Sequence, residues 1–331
     1  NVPVCGLLLL FLFVGLPHEE PNWEYLTEAD WAGILGLILG LGALTVLLEE
    51  GHREEWFESS FILWLTLIAV IGFSSLIYGQ MNAPKPVLKL RLLLDRQFGS
   101  VAVMALALGM VMYGSTYVIP QFLAIISDYN AFQTGLVIFW MGIPAFLLMP
   151  VLPFMIRRIH IRIAVGVGML LMAISCFVSI SLTAQSGGAV FTEGQLIRGV
   201  GMILSMMFLN QATVASVAKA DAGDASGIFN AARNLGGSFA LAGLASFQDQ
   251  RIWHHSRRME ESLNANSVSV QNHLDGLARN FGGMDGAMAM LSRTIQREAF
   301  VMTYNDVFLA MGILTLATVP LVVFLKPLPK N

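Results

Sequence analysis

Apolar residues along this chain fall in long, nearly unbroken blocks rather than alternating with polar ones. A helix crossing a bilayer needs about 20 mostly apolar residues. Eight windows meet or approach that length: Trp31–Leu48, Phe61–Tyr78, Gly99–Ile126, Leu136–Ile156, Ile163–Leu182, Gln195–Ala218, Ser226–Phe247 and Val307–Leu325. A ninth block, Val2–Leu16, is shorter and reads as the remainder of a span. Runs such as VFLAMGILTLATVPLVVFL are apolar all round, so lipid or other helices must surround them. In hydrocarbon the backbone has to satisfy its own hydrogen bonds, which predicts helices. The alternation of a membrane β-barrel is absent. The expected fold class is therefore an all-α membrane protein.

The polar intervals give an orientation. Counted alternately, one set of short loops holds Lys85, Lys89, Arg91 and Arg96, then Arg157, Arg158 and Arg162, then Lys219, then Lys326 and Lys330. The opposite set of short loops holds Arg53 alone. Basic residues mark cytoplasmic loops, so the first set and the C-terminus are expected in the cytoplasm. The acidic loop Pro17–Asp30 falls on that same side, but acidic residues weigh little in orientation. The long interval Gln248–Asp306 falls outside and is close to neutral. Within it Val270, Leu274, Leu277 and Phe281 recur at helical spacing, as do Met284, Met288, Leu291, Ile295 and Met302, with Gly282–Gly283 as a breaker. Short amphipathic helices are predicted there, either as a cap on the protein's own bundle or as a docking surface.

Composition sharpens the class. Of 331 residues 56% are hydrophobic and 12% are charged, with mean hydropathy +0.68, where soluble domains carry about 25% charged residues. A water-soluble enzyme, a nucleic-acid binder and a disordered chain are excluded. The net charge of −3 gives no polyanion signal. Cys5 and Cys176 lie in apolar runs and read as small buried hydrophobes. The chain begins with Asn and has no basic leader region, so it reads as cut from a longer protein. No HExxH, GxSxG or P-loop pattern occurs, and no enzymatic activity or cofactor is expected. The adjacent pair His254–His255 lacks the spacing of helical metal ligands and reads as a solvated loop face.

Polar residues inside spans are costly and point to function. Arg198 lies near the outer end of its window, where a structural or snorkelling side chain is expected. Arg233 lies deeper, and helical spacing puts Asn230, Arg233, Asn234 and Gly237 on one face. That face is either a cavity wall or a packing anchor. Asn210 and Gln211 interrupt another span near its middle, as cavity lining or as interhelical glue. Tyr113 and Tyr117, at i and i+4 before Pro120–Gln121, form one stripe, read as an interfacial aromatic belt unless it faces a cavity, and Pro120 weakens the backbone bonding there. Gly36, Gly40, Gly42, Gly166, Gly168, Gly199 and Gly201 allow close helix approach, and Pro144, Pro150 and Pro153 interrupt one span repeatedly.

Several segments together carry a resemblance. NVPVCGLLLL, SGIFNAARNLGGSFALA, TYVIPQFLAIISDYNAFQTGL and RGVGMILSMMF are similar to segments of the 14-span drug–proton antiporter branch of the major facilitator superfamily. The long interval ending QREAFVMTYNDVFLAMG resembles that of the EmrB- and FarB-type pumps of Gram-negative bacteria. The resemblance implies residues 1–16 as the end of the sixth span, 17–30 a cytoplasmic loop, and 31–78 two additional central helices. It further implies 79–97 as a basic linker, 98–247 the first five helices of the C-terminal six-helix bundle, 248–306 a periplasmic loop, and 307–331 the last helix and tail.

The implied function is proton-coupled export of amphipathic organic compounds across the bacterial inner membrane by alternating access. The alternatives are a dedicated carrier of one metabolite, such as a fatty acid, siderophore or sugar, and a non-transporting scaffold. Energy would come from the proton gradient. Partners would be the bilayer, the small-molecule substrates, and a periplasmic adaptor with an outer-membrane channel. Arg233, Asn230 and Asn234 would organise a gate, with Gln121, Tyr113, Tyr117, Asn210 and Gln211 lining the cavity. LLMPVLPFMIRRIHIR keeps the basic cluster of the superfamily's cytoplasmic loop motif but lacks its Asp, so no acid–base latch is implied there. No carboxylate lies deep in a span of this chain, which places the proton carrier in the preceding half.

Overall fold

The computed structural model describes residues 2–15, 29–84, 86–263, 267–280 and 283–325. The described residues are helical throughout, with no strand among them. In chain order the helices are α1 (Val2–Gly15), α2 (Trp31–Glu50), α3 (Ser60–Asn82), α4 (Arg96–Ile126), α5 (Ala131–Leu148), α6 (Leu152–Arg158), α7 (Ile161–Val178), α8 (Val190–Ala215), α9 (Ala222–Ser262), α10 (Val268–Asn280) and α11 (Met284–Thr318). A 3-10 turn over Val319–Phe324 follows.

The helix starts follow local chemistry. Asp30 caps α2 by accepting from the Gly33 N–H at 2.7 Å. Asp95 caps α4 by accepting from the N–H groups of Gln97 and Phe98 at 2.8 and 3.0 Å. Asn130 and Gln133 form a reciprocal capping box at the start of α5. Among the described residues six helices are long and apolar enough to cross a membrane: α2, α3, α4, α5, α7, and α11 with its 3-10 extension. The windows on α8 and α9 are long but more polar. Some of their polar groups turn inward, with Gln195, Arg198, Ser205, Thr213, Ser238 and Gln248 buried, while Asn210, Gln211, Asn230 and Asn234 are exposed.

Three boundaries differ from the sequence reading. The window Leu136–Ile156 is two helices, because the chain turns at 149–151, beside Pro150, between α5 and α6. The outer interval 248–306 is not a set of separate short helices. α9 continues unbroken to Ser262 and α11 begins at Met284, so α10 is the one short helix between them among the described residues. Gly283, at φ +107°, takes the left-handed conformation expected of a breaker. Phe281 and Gly282 lie outside the described residues. Cys5 is exposed, contrary to expectation, whereas Cys176 is buried.

Successive helices cross between two ends of the bundle. At one end Lys89 pairs with Asp221, Arg162 Nε donates to the Leu325 carbonyl at 2.5 Å, and Arg96 stacks over Phe324. The short loops rich in Lys and Arg thus meet at a common end. At the other, Arg297 donates to the carbonyls of Ile126 and Ala184, both at 2.9 Å, and Asn305 brackets Leu182. The core between the ends includes Phe122, packed edge-on against Phe191 and Tyr304 at centroid distances of 5.4 and 5.3 Å. α2 and α3 form a hairpin whose backbones touch: a Cβ on Gly36 would overlap the Leu76 backbone, and one on Gly72 would overlap Gly40. Gly42 faces open space instead and Gly166 meets ordinary contacts. Leu47, Leu48 and Ile62 seat this hairpin against Ala242 of α9.

Candidate substrate cavity

α4 and α9 run side by side in the same direction and position most of the candidate residues. A Cβ on Gly109 would overlap the Arg233 carbonyl oxygen, and a Cβ on Gly236 would overlap that of Leu106. The two backbones therefore lie as close as helices can, and this contact fixes the height of Arg233 against α4. A Cβ on Gly237 would stand 2.6 Å from the Tyr113 ring, so the missing side chain is what admits the ring.

The Tyr113 hydroxyl donates to Asn234 Oδ1 at 3.4 Å, a long contact between two exposed groups. Arg233 reaches across to α8, where Nη1 lies 3.8 Å from the Met206 sulfur. Its Nε is enclosed and has no hydrogen-bond partner among the described residues. Asn210 is one turn beyond Met206 on α8 and is exposed, as is Gln211. Adjacent residues on a helix point about 100° apart, so Asn210 and Gln211 do not share one line of the wall. Asn230 is exposed and its Nδ2 donates to the Ser226 carbonyl of its own helix at 2.9 Å. Tyr113 and Tyr117 remain 41% and 39% exposed, one turn apart on α4. α4 continues as a helix through Pro120.

Two contacts, Tyr113 with Asn234 and Arg233 with Met206, link α4, α9 and α8 into a partly exposed polar wall, and Asn210, Gln211 and Asn230 are exposed elsewhere on α8 and α9. Gln121 lies further along α4 and accepts from Gln248 Nε2 at 3.0 Å. It belongs to a separate polar cavity of about 160 Å³, lined by His52, Tyr117, Gln121, Gln248, Asp249 and Tyr304 among others. Tyr117 is common to the wall and this cavity.

Arg198 stands apart from both and does not snorkel. It is 1% exposed, donates to Ser175 Oγ at 3.2 Å and to Gln195 Oε1 at 2.9 Å, and lies over the Phe308 ring at 6.0 Å. It joins α7, α8 and α11 from within the core. His255 also departs from expectation. It is helical, and its Nε2 lies 2.7 Å from Asp306 Oδ2, beside Arg251 Nη2 at 2.5 Å.

The sequence reading missed Gly109, Gly236, Glu49, His52 and Asp249. Ser238 Oγ donates to Glu49 Oε1 at 3.1 Å, which brings a carboxylate of α2 against α9 one turn from Asn234. His52 and Asp249 are 3.2 Å apart. Their chain separation leaves no spacing signal. Among the described residues no group of three or more His, Cys, Asp or Glu is arranged to hold a metal.

Residues 3–241 match the Major Facilitator Superfamily. The chain is 25% identical over 328 residues to the colistin resistance protein EmrB of Acinetobacter baumannii, covering 97% of this chain and 64% of that protein. It is 25% identical over 329 residues to the fatty acid resistance protein FarB of Neisseria gonorrhoeae, covering 99% and 64%. It is likewise 25% identical over 333 residues to the multidrug export protein EmrB of Escherichia coli strain K12, covering 99% and 64%. The chain thus spans 64% of the length of each of these relatives.

Proposed function

Since the chain belongs to the Major Facilitator Superfamily, we propose that the protein exports amphipathic organic compounds through a bacterial inner membrane, driven by protons and by alternating access. The observation that carries this reading is the wall of Tyr113, Met206, Arg233 and Asn234 on α4, α8 and α9, with Asn210 and Asn230 exposed elsewhere on α8 and α9. Polar side chains left exposed on long helices need water or a ligand rather than acyl chains. The names of the relatives support the same reading, since they are colistin, fatty acid and multidrug resistance or export proteins.

In this mechanism the amphipathic substrate lies along Tyr113 and Met206 with its polar part toward Asn234 and Arg233. Exposed aromatic and methionine surface accepts varied apolar shapes, while the amides and the guanidinium orient the polar end. Arg233 repels a cation and attracts an anion. The charge on Glu49, one turn from Asn234, does the reverse, so the wall offers both signs along α9. The basic end faces the cytoplasm and the end carrying α10 the periplasm. There α10 and the first turns of α11, with Met284 and Met288 exposed, offer an apolar face to an adaptor protein that continues to an outer-membrane channel.

The test uses the full-length parent protein in energised inside-out vesicles with a pH-sensitive dye. Substrate-induced proton release by lipophilic cations and weak-acid uncouplers supports the reading. Release by a single metabolite only would assign a dedicated carrier instead. With Arg233→Ala, transport is expected to fall by about tenfold or more at unchanged expression, with partial recovery in Arg233→Lys. Unchanged transport in Arg233→Ala removes that residue from the site.

A further inference from the structure

The polar cavity shared by α4, α9, α11 and the turn after α2 has no part in the wall described above except through Tyr117. It is about 160 Å³, smaller than the roughly 300–1,000 Å³ of a site that encloses a whole drug-sized ligand. It suits one polar group of a larger molecule. Its lining supplies a carboxylate, Asp249, two amides, Gln121 and Gln248, and two tyrosines, Tyr117 and Tyr304. Gln121 and Gln248 already satisfy one another at 3.0 Å. No lysine or arginine lines the cavity. A carboxylate among aromatic rings and amide oxygens is a cation's environment.

The one basic side chain lining the cavity is His52. His52 Nε2 lies 3.2 Å from Asp249 Oδ2, and the two side chains are 36% and 66% exposed. An ion pair this exposed is worth about 1 kcal/mol or less, so a second cation can compete for the carboxylate. Other charges stand close to His52, among them Glu49 on α2, which accepts from the Ser238 hydroxyl of α9. Arg53 pairs with Glu50 at 3.4 Å and Glu54 accepts from Ser59 at 3.2 Å, in and beside its own turn. Arg251 and His255, further along α9, are held by Asp306 of α11. Glu55 belongs to the same turn as His52, α4 contributes Tyr117, and α11 contributes Tyr304.

We propose that this cavity is a cation subsite at the outer mouth, where the ammonium headgroup of an organic cation rests against Asp249 until protonation of His52 displaces it. One proton from the outer solution adds to His52, the imidazolium pairs with Asp249, and one ammonium ion leaves, so charge at the site is conserved. Its place in transport rests on the exporter reading, and Tyr117 joins it to the central wall.

The test is calorimetric titration of the purified full-length protein with phenyltrimethylammonium at pH 5.5 and 7.5. Wild type is expected to bind about three- to fivefold more tightly at the higher pH, and His52→Gln to bind equally at both. Asp249→Asn is expected to lose about three- to fivefold in affinity at pH 7.5, with recovery in Asp249→Glu. Equal wild-type affinities at the two pH values, a surviving pH dependence in His52→Gln, or wild-type affinity in Asp249→Asn would each overturn the subsite. Vesicle transport on the same proteins separates the two readings. Wild type that binds with this pH profile but releases no protons with any substrate supports the subsite and counts against the exporter.

Discussion

At the scale of single residues, Arg198 shows why a membrane arginine cannot be read from position alone. Near the end of an apolar window, snorkelling is the cheaper option. Here Gln195 and Ser175 accept its hydrogen bonds inside the core, while Nη2 remains without a partner among the described residues. The acceptors belong to two helices, and Ser175 gives no signal in sequence that it faces Arg198. A buried charge with incomplete partners stabilises little, and an apolar side chain of similar length can replace it at small cost. Arg198→Met is therefore expected to change thermal stability by about 1 kcal/mol or less. Arg198→Ala, which leaves a void, is expected to lose about 2 kcal/mol or more. Thermal unfolding of detergent-purified protein measures both, and equal losses would show that the guanidinium itself holds the helices. Arg233 stands out in the sequence because two polar neighbours, Asn230 and Asn234, recur on its face. His52 and Asp249 were not, because each looks like an ordinary loop charge until α2 and α9 are placed together.

At the scale of elements, the spans were legible because hydrocarbon tolerates one pattern, a long apolar run. Where α9 and α11 leave that run, the pattern becomes polar but the helix does not stop. The stretch Gln248–Ser262 contains neither glycine nor proline, so nothing in it breaks the backbone ladder. Reading a change of polarity as a change of structure led to the expectation of a loop. The pairing of α4 with α9 was hidden for another reason. Gly109 and Gly236 sit at small-residue spacings, Ala105–Gly109 and Ala232–Gly236–Ala240, but such spacing does not say which helix packs against which. Their importance shows in a substitution: Gly236→Leu puts a side chain into the Leu106 carbonyl and must push the helices apart. A loss of about 1–3 kcal/mol is expected, together with weakened transport, since Arg233 and Tyr113 would separate. Gly243, with open space around it, is the matched control, and Gly243→Leu should leave thermal stability within about 0.5 kcal/mol. Equal effects at the two positions would show that the close contact does not set the spacing.

At the scale of the molecule, polar ties at the two ends hold apolar helices in register. At one end the hydrogen bond and charge of Asp221 raise the Lys89 ammonium above its ordinary 10.5. A raised value means that the tie contributes at every pH below 10.5 and is lost only as the pH rises through the folded value. It is therefore constant across the physiological range, and Lys89→Met should leave the pH profile of stability flat between about pH 6 and 9 relative to wild type. At the other end Asp306 gathers Arg251 and His255, so Asp306→Asn should loosen α9 from α11. Faster proteolysis within α10, without loss of the membrane-embedded fragments, would report it; unchanged cleavage would mean that apolar packing alone joins the two helices. α9 spans 41 residues without a break, about 62 Å of rigid rod at 1.5 Å per residue, against a hydrocarbon core about 30 Å thick. Taken as a pivot, its close contact with α4 at Gly236 leaves about 39 Å of rod to Ser262, a length that Asp306 of α11 ties near its middle. A tilt of about 5° at the pivot would sweep the far tip through about 3 Å. The rod is thus a lever: a rearrangement too small to open a path inside the bilayer is enlarged outside it into a stroke the length of a hydrogen bond.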